Sequence, residues 1–233
     1  LAIRNLCESR NIPLIEDGAQ SFGVRVQDES IYKNAFISTT SFYPAKVLGG
    51  AGDGGAVFTK SNELAVIVRQ LSNHGRSAHY GHEFVGWNSR MDSLQAAFLN
   101  IAIDYIDDRI QSRVKAADFY RLHLNETGLT VLSAPSGYRE NGYLNVCLID
   151  NQEQKSLVED SLRVAGIGFG NVYPSAMRSQ AGAISYIKGH DGGKRTDIFS
   201  SSVINLPVFP YMRSDELDYV VNKLTSFLKK GNL

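Results

Sequence analysis

An aspartate, a serine and a lysine stand where an α/β chain most readily organises chemistry. Asp17 closes the short apolar run that begins at Leu14, Ser41 lies at the end of the β-branched run from Ala35 to Phe42, and Lys46 follows in a glycine-bounded loop. In open α/β sheets ligands bind beyond the carboxyl ends of strands, which is where these residues fall. A carboxylate, a hydroxyl and an amine in such a place suit a pyridoxal phosphate site. A loop lysine is equally an ordinary solvated charge, and an aspartate after a strand an ordinary turn or cap residue, so spacing alone leaves both readings open.

Other motifs point nowhere specific. Gly50-Ala51-Gly52-Asp53-Gly54-Gly55 matches GxGxxG letter for letter. That fingerprint works between a strand and a helix N-terminus, whereas here the strand-like Ala56-Val57-Phe58 follows it, so a flexible turn near a ligand is the better reading. His79-Tyr80-Gly81-His82-Glu83 has metal-compatible spacing, but Gly81 makes a poor helix and no further ligand cluster accompanies it. Gly192-Gly193-Lys194-Arg195 lacks the Ser or Thr of a phosphate-binding loop, and no GxSxG elbow occurs.

The elements that must position these residues follow from periodicity. A helix from Leu1 ends before Asn11-Ile12-Pro13, and strands are expected at Leu14–Asp17, Ala35–Phe42 and Gly55–Thr59. Ser61 or Asn62 caps a helix carrying Leu64, Ile67, Val68 and Leu71, with Gly75 beyond its end. From Asp92 to about Asn125 there is neither Pro nor Gly, which predicts one long helix or two in series. Beyond Gly128, Pro135, Gly137 and Gly142 come a strand at Tyr143–Ile149, a helix at Lys155–Val164 and strands at Gly166–Val172 and Val203–Phe209. A last helix runs from Ser214-Asp215-Glu216 to Lys229-Lys230, its charges matching the helix dipole at both ends. The expectation is two domains, residues 1–112 and 113–233.

The 233 residues carry 24 Lys+Arg against 24 Asp+Glu and are 43% apolar, a globular composition with no overall field to draw nucleic acid or an anionic membrane. Cys7 and Cys147 are far apart, with no CxxC spacing, which predicts neither a disulfide framework nor a cysteine zinc site and suits a reducing cytoplasm. No apolar run is long enough to span a bilayer and no signal-peptide pattern opens the chain, so a soluble cytoplasmic protein is expected. The chain opens at Leu1, inside a helical pattern, which suggests a fragment or a trimmed numbering.

Several longer runs carry a resemblance. Ile12-Pro13-Leu14-Ile15-Glu16-Asp17-Gly18-Ala19-Gln20, Ser41-Phe42-Tyr43-Pro44-Ala45-Lys46-Val47-Leu48-Gly49, Gly52-Asp53-Gly54-Gly55-Ala56, Asn73-His74-Gly75, Gly86-Trp87-Asn88-Ser89-Arg90-Met91-Asp92 with Leu94-Gln95-Ala96-Ala97, and Tyr173-Pro174 closely resemble, in this order, the DegT/StrS family of sugar aminotransferases. The resemblance implies an α/β fold, the pyridoxal-phosphate-dependent transferase fold type I: the C-terminal part of a large α/β domain plus a small α+β C-terminal domain. It also implies a homodimer with shared active sites, making deoxyamino sugars for surface polysaccharides or secondary metabolites. Lys46 would bind pyridoxal 5'-phosphate covalently, Asp17 would pair with the pyridine nitrogen, Gln20 would lie against the ring and Ser41 would bond the phosphate. Asn88 would reach the phosphate of the neighbouring subunit, and Arg90 and Tyr173 would meet substrate.

The reaction implied moves the amino group of glutamate, which leaves as 2-oxoglutarate, to a keto sugar linked to a nucleotide. Pro44-Ala45-Lys46-Val47-Leu48-Gly49 followed by Gly52-Asp53-Gly54-Gly55 looks more like the branch that aminates C3 than the branch that aminates C4. An inactive remnant serving as a structural or regulatory module is the competing reading, and a related sugar dehydratase is disfavoured because Lys46 is present. Departures from the family pattern are Gly18, commonly Ala, and Met177-Arg178, where a His is common a few residues after Tyr-Pro. The family's first strands, its Gly-Thr or Gly-Ser phosphate turn and an aromatic residue over the ring have no counterpart in these residues.

Overall fold

The computed structural model describes residues 1–125, 127–189 and 192–230, with residues 229 and 230 as backbone only. In chain order its elements are α1 (Ala2–Ser9), β1 (Ile15–Asp17), β2 (Arg25–Val26), β3 (Glu29–Ser30), β4 (Ile37–Ser41), β5 (Gly55–Phe58), α2 (Asn62–Ser72), α3 (Ser93–Ile103), α4 (Ile106–Leu124) and β6 (Thr130–Val131). There follow β7 (Tyr138–Arg139), β8 (Asn145–Leu148), α5 (Gln152–Val164), a 3-10 turn at Met177–Ser179, α6 (Ala181–Ile184), α7 (Lys194–Ser202), β9 (Val203–Leu206) and α8 (Ser214–Lys230). The side chains of Lys229 and Lys230, to which the basic end of the last helix was assigned, lie outside the described residues. No described helix is long and apolar enough to cross a membrane.

Two compact units divide the chain, Leu1–Ile110 with Pro135–Tyr143, and Gln111–Ala134 with Leu144–Leu233. A single boundary at 112/113 makes no provision for Pro135–Tyr143. That segment belongs to the first unit because β7 pairs antiparallel with β2, Arg139 opposite Arg25 and Tyr138 opposite Val26, in the sheet β3-β2-β7.

The first unit is built on the sheet β1-β4-β5, with β1 parallel to β4 and β5 antiparallel to it. Short β-branched runs make these strands, and alternation sorts β4: Ser38 and Thr40 are buried while Ile37, Thr39 and Ser41 take the more open face. Arg4 anchors α1 by two bonds to the Glu16 carboxylate, at 2.7 and 2.8 Å, and two more to the carbonyls of Ile31 and Lys33. The Ser61 side chain caps α2 by accepting from the Leu64 N–H, and Asp92 caps α3 by accepting from that of Gln95. The Pro- and Gly-free stretch after Asp92 forms two helices in series, α3 and α4. Phe42, Leu48 and Leu99 form a small core with Phe22, Ala56, Ala102 and Ile106.

The second unit sets the antiparallel sheet β6-β8-β9 among helices, with Asn145 opposite Leu206 and Leu148 opposite Val203. Its core includes Tyr120 and Leu124 from α4, Leu162 from α5 and Leu224 from α8, all fully buried. Each buried leucine contributes roughly 1.5–3 kcal/mol. Two polar side chains of this core reach main-chain carbonyls: the Tyr120 hydroxyl donates to that of Pro207 at 3.0 Å and Arg113 Nη1 to that of Val208 at 3.1 Å. The strand expected at Gly166–Val172 does not form. Only Gly170 makes a bridge, to Asn205: Ile167 and Phe169 pack on the core, but the alternating Gly166, Gly168 and Gly170 leave the other face of the segment without side chains, and Gly166 adopts a left-handed φ of 69°.

Candidate active site

The register of the first sheet brings two of the three strand-end candidates onto one surface. Asp17 ends β1 directly beside Thr39 of the parallel β4, and Ser41 lies two residues further along, on the same face. Both therefore stand at the carboxyl ends of neighbouring parallel strands, where the backbone leaves the sheet and side chains are free to meet a ligand. Asp17 is exposed, and its Oδ1 accepts from the Ala19 N–H at 3.0 Å. Ser41 Oγ accepts from the Tyr43 N–H at 3.2 Å.

Lys46 is carried by a tightly wound loop. The Lys46 N–H donates to the Tyr43 carbonyl, Phe42 N–H to Gly54, and Gly50 N–H back to Phe42, all at 2.7–2.8 Å. Val47 and Leu48 are buried beneath it. A side chain at Gly49 would put its Cβ 2.3 Å from the Pro44 carbonyl oxygen, so the loop closes only around glycine. From α3, Gln95 reaches back to accept from the Ala51 N–H at 2.9 Å. The loop that matched GxGxxG is thus a turn into β5.

Two residues that sequence reasoning passed over complete the surroundings of Lys46. Its Nζ donates to the Tyr143 hydroxyl at 3.1 Å and lies 4.8 Å from the centroid of that ring. Asn141, buried at 5% exposure, donates from Nδ2 to the carbonyls of Gln20 and Phe22, both at 2.9 Å, and accepts from the Tyr143 N–H at 2.9 Å. The returning segment is thereby stapled to the loop that follows Asp17. In the sequence, Gly142 read only as one of the breaks before a strand, and Asn141 carried no signal of its own.

Tyr32 forms the floor. Its hydroxyl donates to the Gly18 carbonyl and bonds Thr40 Oγ1, each at 3.0 Å, its ring stacks on Phe58 with centroids 4.5 Å apart, and burial pushes its ionisation upward. This explains the glycine at position 18. A Cβ there would lie 2.5 Å from the Tyr32 ring and 2.7 Å from the Thr39 carbonyl oxygen.

The remaining candidates fall in other places. Gln20 shares the loop after Asp17, and its backbone carbonyl takes one of the Asn141 bonds. Asn88 is exposed and bridges to Asn73 just past α2, while Arg90 donates to Asn73 Oδ1 at 2.9 Å. Those two form their own group on the first unit. Tyr173 lies in the second unit, exposed, after Val172, whose N–H donates to Asn205 Oδ1. Among the described residues, no three His, Cys, Asp or Glu side chains are grouped to hold a metal ion, and His82 turns its Nδ1 to the His74 carbonyl at 2.9 Å.

The donor set at the strand ends matches the three polar ends of pyridoxal phosphate. Lys46 offers an amine, Asp17 a carboxylate with one oxygen toward a local N–H, and Ser41 a hydroxyl, group types that fit such a cofactor. A sequence model of a known family matches residues 1–225. The chain belongs to the DegT/DnrJ/EryC1/StrS aminotransferase family. It has the α/β fold of the pyridoxal-phosphate-dependent type I transferases in this family. The chain is 34% identical over 226 residues to the UDP-2-acetamido-2-deoxy-3-oxo-D-glucuronate aminotransferase of Pseudomonas aeruginosa, covering 97% of this chain and 61% of that protein. It is 30% identical to the UDP-N-acetyl-3-dehydro-alpha-D-glucosamine 3-aminotransferase of Acidithiobacillus ferrooxidans, covering 92% and 57%. Among solved structures, S. venezuelae DesV in complex with a ketimine intermediate superposes with a TM-score of 0.91 at 28% identity, covering 98% of this chain and 61% of DesV. The chain spans about three fifths of the length of the curated relatives it matches.

Proposed function

We propose that the protein containing this chain is a pyridoxal-phosphate-dependent aminotransferase that moves the amino group of glutamate onto a nucleotide-linked keto sugar, at C3. The observation that carries this reading is the placement of Asp17 and Ser41 on one face at adjacent strand ends, with Lys46 on the wound loop that continues from Ser41. The 3-oxo and 3-dehydro sugars named for two relatives, and the Gly-Asp-Gly-Gly of residues 52–55, support amination at C3.

When bound, the cofactor supplies an electron sink for the carbon that gains or loses the amino group. Lys46 would hold it covalently. Asp17 would accept a hydrogen bond from the pyridine nitrogen, keeping a proton there by the charge of its carboxylate, and Ser41 would donate to the phosphate. Gln20 would lie against the ring. The Lys46 amino group would also take and return the proton at the reacting carbon, as general base and then acid. Asn88 would complete the phosphate site of a second copy, and Arg90 and Tyr173 would meet the substrate, in a homodimeric, cytoplasmic enzyme. The first unit would be the cofactor-binding part and the second the small domain.

Addition of pyridoxal phosphate, borohydride reduction and peptide mapping tests the assignment. The expected result is one label, on Lys46. Lys46→Ala should lower turnover by about 10²–10⁴-fold or more, since it removes both the attachment and the proton carrier. A label elsewhere, or turnover that survives in Lys46→Ala, would overturn it.

A further inference from the structure

The segment that returns to the first unit ends at a tyrosine placed against the one amine of the site. We propose that Tyr143 is the positioning residue of Lys46, and that Asn141 fixes it there; the proposal rests on Lys46 being the cofactor lysine. A lysine side chain has four rotatable bonds, and a loop lysine with nothing to hold it spreads its amine over many places. Here the amine has two fixed points on one ring, the hydroxyl oxygen at 3.1 Å and the face at 4.8 Å.

The ring itself is held by main-chain geometry. The Tyr143 N–H is taken by Asn141 Oδ1, and both hydrogens of the Asn141 amide go to the carbonyls of Gln20 and Phe22. An aspartate or leucine at 141 cannot make those two donations. The same side chain therefore ties the tyrosine that holds Lys46 to the loop that leaves Asp17. Segment Pro135–Tyr143 returns to the first unit for this purpose as well as for the pairing of β7 with β2.

The consequence is read in the capture of cofactor, a step separate from turnover. In capture the amine nitrogen bonds to the aldehyde carbon of added pyridoxal phosphate and one water leaves. Holding the amine raises the fraction of time it spends in one geometry, and so the rate of capture. The experiment follows that rate by absorbance in the full chain, wild type against Tyr143→Phe and Tyr143→Leu, with thermal unfolding of each and borohydride mapping of the label.

Tyr143→Phe keeps the ring and its packing but loses the oxygen, and is expected to capture roughly two- to tenfold more slowly with an unchanged unfolding midpoint. Tyr143→Leu loses the face too and should be slower again. The order tyrosine, phenylalanine, leucine distinguishes positioning from packing, because a purely structural ring would make phenylalanine equal to tyrosine. Label on Lys46 in the wild type with equal rates in Tyr143→Phe overturns the positioning role and leaves the aminotransferase reading standing. No label on Lys46 in a folded wild-type chain overturns both.

Discussion

Replacing Asn141 by leucine should unfasten the first unit, and the size of the effect follows from its three hydrogen bonds. The side chain is 5% exposed and joins Gln20, Phe22 and Tyr143, residues 121, 119 and 2 positions away. Leucine has nearly the same size, so the cavity contribution is small and the loss is polar. Two carbonyls and one N–H give up bonds of 2.9 Å, each contributing about 0.5–1.5 kcal/mol net. Gln20, Phe22 and Tyr143 are only half-buried, so water recovers part of the loss, and the expected destabilisation is about 2–3 kcal/mol. Trp87 is the only tryptophan and lies in the first unit, so urea unfolding followed by its fluorescence reads the right part of the molecule. With a slope of roughly 2 kcal/mol per molar urea, the midpoint should fall by about 1 M or more. A fall under about 0.25 M would mean that the staple contributes nothing to folding, and the account of how Tyr143 is held would be wrong.

Two further outcomes are expected. Gly75 has φ of 72°, and a Cβ there would lie 1.8 Å from the Phe84 carbonyl oxygen, so Gly75→Ala must displace backbone and should lower stability by about 2 kcal/mol or more in the same urea titration; wild-type stability would refute this. In the second unit, burial pushes the Cys147 thiol from its ordinary 9.0 up to about 12, and raises Tyr120 by the same cause. The folded chain then keeps a proton that the unfolded chain releases, so stability falls as pH rises from about 9 to about 12, by roughly 1.4 kcal/mol per pH unit for the thiol. Urea midpoints at pH 8, 9 and 10 should show the decline, and Cys147→Ala should flatten it below pH 10; an equal slope in the variant would refute the attribution.

Local patterning made much of the first unit legible. The strands at β1, β4 and β5, the Ser61 cap, the paired helices after Asp92 and the strand-end places of Asp17 and Ser41 all follow from side chains that alternate or recur within a few residues. Such patterns exist in sequence because neighbours on a strand or helix face share one environment. The runs around Asp17, Lys46 and Asn88 likewise carried the family resemblance, which the match over residues 1–225 confirms.

What the tertiary structure alone decided lies in contacts that leave no local period. The strands β2, β3 and β7 are two residues each, too short to alternate, and exist because the chain returns to pair with itself. The helix α7 carries Thr, Asp and a run of serines, weak helix formers that packing overrides. Tyr143 meets Lys46 across 97 residues, and Asn141 meets Gln20 across 121. A hydrogen bond between residues so far apart constrains neither one's neighbours. The sequence by itself therefore determined which residues could carry the chemistry, because their types and local elements are encoded nearby, whereas only the folded chain decided what holds the lysine in place.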